Sequence, residues 1–298
     1  MNAPLVSIVM TYFERASQLR ATLESFAYHG YGQEVEVVIV DDGSVKEKAQ
    51  IADGLYAFAV KTIYLDPKRK WYSNACVPFN IGFASAIADL IVIQNAECLH
   101  YHNVVNYALS HLSEANYLSF SCYSIDENAT RELESWSSKE LRLPTIEMNH
   151  VGPPDRDGSD GWYNHSRYNP LGYHFCSAIR RSNLAKLRGF DERYAYGVGY
   201  DDNELLERVK RLPLSVLIVD DIVVVHQYHY ANKDVSGRYY EKYNRNRALF
   251  QEYTKRGGHL LDYMSVTGRY AFIRPLRSFL LRFLHRTKHY LFRGRATN

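Results

Sequence analysis

Three strand-length runs near the start of the chain are almost wholly apolar, and each ends in oxygen-bearing side chains. VSIVM (Val6–Met10) runs into Thr11, VEVVIV (Val35–Val40) into Asp41 and Asp42, and LIVI (Leu90–Ile93) through Gln94 into Asn95 and Glu97. Between them lie segments of helical period, Ser17–Tyr28 with Leu19, Leu23 and Phe26 on one face, and Asn74–Ala88. Buried strands alternating with helices predict a parallel sheet covered on both faces. Loops at the C-terminal ends of such strands share one crevice, so these oxygen-bearing groups are expected to meet there.

Other chemistry is excluded on the way. TYFERAS, after the first strand, has no glycine to let a backbone approach a pyrophosphate closely, which argues against an NAD-type dinucleotide fold. The segment Asp155–Gly161 (DRDGSDG) imitates a calcium loop, but an EF-hand needs Gly at 160 and Glu at 166, where this chain has Asp160 and Ser166. The four cysteines, Cys76, Cys98, Cys122 and Cys176, are scattered without CxxC spacing, which fits a reducing cytosol better than zinc or a disulfide framework. A net charge of +3 over 298 residues does not describe a nucleic-acid binder. MNAPLVSIVMTYFER runs straight into the first strand with no signal-peptide pattern, and no stretch is apolar for the ~20 residues a membrane span requires.

Further strands are expected at Val60–Leu65, Tyr117–Cys122, Phe175–Ile179, Ser215–Val219 and Ile222–Val225, and further helices at Val104–Leu112, Ser182–Leu187 and Asp201–Arg211. The pattern predicts an α/β domain over 1–235 in two halves, 1–123 and 124–235, and the 124–170 stretch of the second reads as a long irregular loop. Residues 236–298 read as a helical, basic extension.

The ordered set SIVMTYFER, VVIVDDGS, NxG at Asn80 and Gly82, the NAE triplet, GFDERY and YDDNELLERV resembles the family 2 glycosyltransferases of GT-A fold, a mostly parallel, Rossmann-like sheet flanked by helices. The resemblance makes 1–123 the nucleotide-binding half and 124–235 the acceptor-side half, and implies that Asp41, first acid of DDGS, contacts the base of a nucleotide sugar. Thr11, Tyr12, Glu14 and Asp42 would line the same pocket, with one of the two aspartates also suited to capping the next turn. Lys68 and Arg69 are candidates to reach the donor phosphates, and Asn80 to support the sugar or the loop beside it. Where the family usually carries Asp-x-Asp, this chain has Asn95-Ala96-Glu97. Glu97 matches the second acid and is expected to bind Mn²⁺ or Mg²⁺, while Asn95 meets the ribose, or the cation through water. His226, after a late strand as in some relatives, is the second expected ligand, with His229 as competitor.

The resemblance also makes Asp202 the base that deprotonates the acceptor, with Asp201 orienting it. One base and no covalent nucleophile imply inversion at the anomeric carbon. Trp162, Tyr163, Tyr168 and Tyr173 precede this region and suit an acceptor sugar. The tail from Arg269 to Arg295 has no acid and alternates basic residues with Ile273, Leu276, Phe279, Leu280, Phe283 and Leu284, the pattern of an amphipathic helix on an anionic membrane. The expectation is therefore an inverting, metal-assisted glycosyltransferase, cytoplasmic and peripheral to the inner face of the plasma membrane. It would use UDP- or dTDP-sugars and a glycan or lipid-linked acceptor in surface polysaccharide assembly. A sugar-nucleotide-binding protein without turnover and a non-catalytic membrane adaptor are the alternatives.

Overall fold

The computed structural model describes residues 3–134, 146–229 and 237–255. Its strands are β1 (Val6–Tyr12), β2 (Val35–Asp41), β3 (Ala59–Tyr64), β4 (Leu90–Asn95), β5 (Cys98–His100), β6 (Asn116–Ser124), β7 (Gly161–Asn164), β8 (Cys176–Arg180) and β9 (Ser215–His226). Its helices are α1 (Ala16–Tyr28), α2 (Cys76–Ser85), α3 (Val104–His111), α4 (Glu127–Glu134), α5 (Arg181–Leu187), α6 (Asp201–Arg211) and α7 (Arg238–Lys255). All nine strands form one sheet in the order β3-β2-β1-β4-β8-β6-β9-β5, with β7 paired to β6. The first four are parallel, as the alternation with helices requires, and their register sets Thr11 opposite Asn95 and Tyr12 opposite Asp41.

Alternation along β1 builds both layers of the core. Ile8 and Met10 face a cluster with Leu19, Leu23 and Phe26 of α1 and Val104, Val105 and Ala108 of α3. Val9 faces the other way, onto Val77 and Phe79 of α2, Leu184 and Leu187 of α5, and Leu205, Leu206 and Val209 of α6. Burying each such side chain contributes about 1.5–3 kcal/mol, so the two layers and not local propensity hold these helices. Helix α2 can lie on the sheet only because of Gly82, where a Cβ would stand 2.4 Å from Val9 Cγ1 and 3.2 Å from Val40 Cγ2.

Several expectations need correction. The stretch 124–170 is not irregular throughout, since it holds α4 and β7, and Trp162 of β7 packs on Tyr123, Ile125 and Leu133. The two strands expected at 215–225 are one, β9. Its pairing with β6 jumps from Phe120↔Val219 to Ser121↔Val223, and the extra residues bulge out, where Asp220 is held by the Ser121 and Ser166 hydroxyls and the Ser166 N–H. β5 was not anticipated, being three residues long. The first compact unit runs to Glu252, so the boundary expected after 235 falls inside it, and most of α7 belongs to the body. The basic tail from Arg269 lies outside the described residues. No described helix is long and apolar enough to cross a membrane.

Candidate active site

One side of the site is built at the ends of β1 and β2. Asp41 is buried and both its oxygens are taken by backbone, Oδ1 by the Ser44 N–H (2.8 Å) and Oδ2 by the Ala49 N–H (3.0 Å). Glu14, in the left-handed region at φ 49°, accepts the N–H groups of Val45, Lys46 and Glu47. The buried Tyr12 hydroxyl donates to the Glu47 carbonyl and accepts the Arg15 N–H, and burial pushes its pKa up to about 12. Tyr12, Glu14 and Asp41 therefore shape the 42–49 loop. Asp42 is differently placed, its carboxylate meeting Lys70 Nζ at 2.6 Å and the Tyr72 hydroxyl at 2.5 Å. Burial raises its pKa against those two partners.

Beside Asp42 the ring of Phe13 is exposed, with Lys70 Nζ 5.0 Å from its centre. Of the basic run at 68–70, Lys70 is thus the residue that reaches the strand ends. The Lys68 N–H caps onto Asp66, and Arg69, 79% exposed, pairs with Asp66 at 3.5 Å. Asn80 supports a loop: it donates to the Phe190 carbonyl and Glu192 and accepts the Phe190 N–H, tying α2 to the segment before α6. Thr11 and Asn95 stand side by side at the ends of β1 and β4.

Glu97 sits in the turn between β4 and β5, and the last strand returns beside it. Cys98 pairs with His226, while the Gln227 backbone and side-chain N–H groups both donate to the Glu97 carbonyl. That side chain also donates to the Gln18 carbonyl and Thr22 of α1, which fixes the turn in place. Around the buried Glu97 carboxylate, Oε1 meets Arg15 Nη1 at 2.9 Å, His229 Nε2 at 3.3 Å and His226 Nε2 at 3.5 Å. Burial would raise this carboxyl, but Arg15 and the two imidazoles outweigh it and hold it well below the usual carboxylate range. Burial lowers the pKa of His226 and favours the neutral, ligating form.

The residues fit a divalent cation. Glu97, His226 and His229 each bring a ligand atom, all within 4.8 Å of one another, and both imidazole Nδ1 atoms are buried without a hydrogen-bond partner. One carboxylate and two imidazoles suit Mn²⁺ better than Mg²⁺, which favours oxygen donors. His226 and His229, expected as competitors, stand together. The Tyr163 ring lies 4.8 Å from that of His226, and both line a cavity of about 310 Å³ with Asp155, Arg156, Asp157 and His229. A larger hollow of about 450 Å³ lies away from these strand ends, between Gln33–Glu36 and the 51–60 segment. Its buried carboxylate, Glu36, is already bonded to Ser7 and the Ile87 N–H.

The acid pair opens α6. Asp201 is buried and accepts from Asn74 Nδ2 at 2.7 Å. Asp202 is raised from the ordinary 3.8 to about 7, by burial first and by the adjacent Asp201 second. Gly199 and Tyr200 before them are both left-handed, at φ 68° and 65°, a conformation that costs a tyrosine about 1–2 kcal/mol. Helix α7 holds that turn: Asn246 Nδ2 donates to the carbonyls of Tyr194 (3.0 Å) and Gly199 (2.8 Å), the Lys242 carbonyl accepts the Val198 N–H, and Tyr243 meets Tyr200. The sequence carried little sign of this clamp, because its groups are polar. Asn203 donates to Tyr173, whose ring lies 6.5 Å from Phe175, itself 6.2 Å from His226. The Phe175 carbonyl accepts the Asn95 N–H. Acid pair and Glu97 cluster thus flank the same end of β4 and β8.

A curled, mostly parallel sheet flanked by helices, with acids and imidazoles gathered at one set of strand ends, is an architecture of GT-A type. The model of glycosyl transferase family 2 matches residues 7–187, more than half of the chain. The chain belongs to that family. Among solved structures it is similar to S. aureus TarS 1-349 in complex with UDP-GlcNAc (12% identity, TM-score 0.52, covering 89% of this chain and 77% of that one). The same protein in complex with UDP gives 12% identity and a TM-score of 0.51 over 89% and 76%. A mannosyltransferase from Pyrobaculum calidifontis, in complex with GDP-Man and Mn²⁺, is 17% identical with a TM-score of 0.48. This chain covers 86% of its own length there but 65% of the mannosyltransferase, and 46% of a longer TarS chain. A search of curated proteins finds no match.

Proposed function

We propose that the protein is an inverting, Mn²⁺-assisted transferase that takes a UDP- or dTDP-sugar and passes the sugar to a glycan or lipid-linked acceptor in surface polysaccharide assembly. The observation that carries this reading is the placement of the Glu97–His226–His229 cluster and Asp202 at one end of β4 and β8. The base would lie against the exposed Phe13, where the Asp42 carboxylate, steadied by Lys70 and Tyr72, accepts a pyrimidine N3–H. This gives to Asp42 the role expected of Asp41.

The acceptor hydroxyl loses its proton to Asp202 as its oxygen bonds to the anomeric carbon, and the bond to the diphosphate breaks on the opposite face. One displacement inverts the configuration. A pKa of about 7 suits a base that must be free near neutral pH yet still attract a proton. A cation on Glu97, His226 and His229 would supply positive charge to the leaving diphosphate. Tyr173 and Tyr163 offer ring faces for sugars between the two groups. Attachment to the inner face of the plasma membrane rests on the basic, apolar tail in the sequence.

The test is thermal unfolding of the full chain with UDP, dTDP, GDP and ADP, each with and without Mn²⁺. A ligand that binds only the folded state raises its stability by mass action. UDP and dTDP are expected to stabilise more than the purine nucleotides, and more with Mn²⁺ than without. Equal stabilisation by all four would reject the role of Asp42, and indifference to Mn²⁺ would reject the cluster as a metal site.

A further inference from the structure

We propose that Arg15 couples cation binding to nucleotide binding, by occupying the Glu97 oxygen that a divalent cation needs until the donor's diphosphate draws the guanidinium away. The inference rests on the reading of Glu97, His226 and His229 as the cation site. Its observation is that three nitrogen-bearing side chains converge on a single oxygen. Arg15 Nη1 is 2.9 Å from Glu97 Oε1, and the Nε2 atoms of both imidazoles face that same oxygen at 3.3 and 3.5 Å. A cation drawn to all three ligands meets the guanidinium on its own carboxylate oxygen, and two positive charges so close in a poorly solvated site repel strongly.

Only one member of the ion pair is free to move. Glu97 is 6% exposed and its turn is pinned by Gln227, whereas the Arg15 side chain is 31% exposed. Its backbone is fixed, the N–H donating to the Tyr12 hydroxyl at 3.0 Å, so the side chain can swing from a stationary root. It borders a hollow of about 320 Å³ shared with Gln18, Tyr228 and His229, which gives it somewhere to go. A diphosphate offers a guanidinium two parallel charged hydrogen bonds, a better partner than one shared carboxylate oxygen. With the guanidinium on the diphosphate, Glu97 is left to the cation. By linkage, what the nucleotide gains from the cation the cation gains from the nucleotide.

The experiment titrates Mn²⁺ into the full chain and follows free Mn²⁺ by electron paramagnetic resonance, with and without saturating UDP, for wild type, Arg15→Met, Arg15→Lys and His229→Ala. Arg15→Met is expected to bind Mn²⁺ alone about tenfold more tightly than wild type, and to lose about the same factor from the tightening that UDP produces. Arg15→Lys, which keeps the charge, should restore weaker binding and the UDP effect, a rescue that a merely structural arginine would not show. Mn²⁺ affinity unchanged or weakened in Arg15→Met overturns the proposal, as does a tighter variant whose response to UDP equals that of wild type. Should Arg15→Met fail to fold, Arg15→Lys with Mn²⁺ affinity and UDP response matching wild type supports the charge role, and loss of the UDP response despite the retained charge overturns it. Wild-type Mn²⁺ binding untouched by His229→Ala would instead strike at the cation site itself, and is distinguishable because it does not involve Arg15.

Discussion

Replacing Asp202 by asparagine should make the protein more stable above neutral pH while removing its acceptor base. The magnitude follows from burial. Asp202 titrates near 7 in the folded chain and near 3.8 when unfolded. Below pH 4 both states hold the proton, and the group contributes its full stability. Between about 4 and 7 the unfolded chain releases the proton while the folded one keeps it, so stability falls as pH rises. At about 1.4 kcal/mol for each of roughly three pH units, the loss reaches at most about 4 kcal/mol by pH 7 and is constant above it. Asp202→Asn cannot ionise, so its advantage over wild type should grow from near zero at pH 4 to a few kcal/mol at pH 8. Urea denaturation at four or five pH values measures this directly, without knowledge of donor or acceptor. A difference between the two proteins that stays flat from pH 4 to pH 8 would refute the raised pKa, and with it the argument that Asp202 is tuned as a base. Turnover with the true donor should fall by about 10² to 10⁴.

Asp42→Asn should weaken UDP binding by about 1.5–3 kcal/mol, the range for a hydrogen bond to a charged group, and GDP binding by less. Isothermal titration decides it, and an equal loss for both would show that the carboxylate does not read the base. Asn80→Ala removes two donated bonds and one accepted bond inside the core and should cost about 2–4 kcal/mol of stability, seen as a lower urea midpoint. Cutting the chain after Gly268 should release it from anionic vesicles, where each basic residue contributes about 1 kcal/mol, while UDP binding persists. Vesicle binding unchanged by the cut would reject the membrane reading of the tail.

The parallel half of the sheet and the ends where chemistry gathers were legible because apolar runs and helical periods survive in the sequence with little interference. The phase of each strand end was not. Asp41 and Asp42 are neighbours, as are Tyr12 and Phe13. At each pair the chain leaves a strand, so one residue turns into the floor and the next outward, and composition is the same either way. The sequence points to Asp41 and Tyr12 for base contact, and in the structure their polar atoms meet the 42–49 loop and Arg15. Lys70 escaped notice for a related reason: in the run KRK only the short 3-10 turn decides which side chain points back to Asp42. The Asp220 bulge split β9 into two apparent strands, because a paired acid in mid-strand reads like a turn. Helix α7 reads as an appendage because Asn246 and Arg245 hold it to the body by polar bonds, and the apolar share of the contact is small, Phe250 and Tyr243 against Tyr200.

The strand that arrives last in the chain is threaded into the interior of the sheet. β9 lies between β6 and β5, although ninety residues separate it from β6, and it carries His226 to within reach of Glu97. During synthesis the parallel strands β1 to β4 can close as soon as β4 emerges, but β6 must wait with one edge unpaired until residue 226 has left the ribosome. Long-range parallel pairing of this kind forms slowly, and a bare interior edge is prone to pair with other chains. A nascent chain would therefore be most vulnerable to aggregation in that interval, when a helper protein that shields β6 would matter most. The same delay keeps Glu97, His226 and His229 apart until β9 is in place, so the cluster cannot form on a half-made chain.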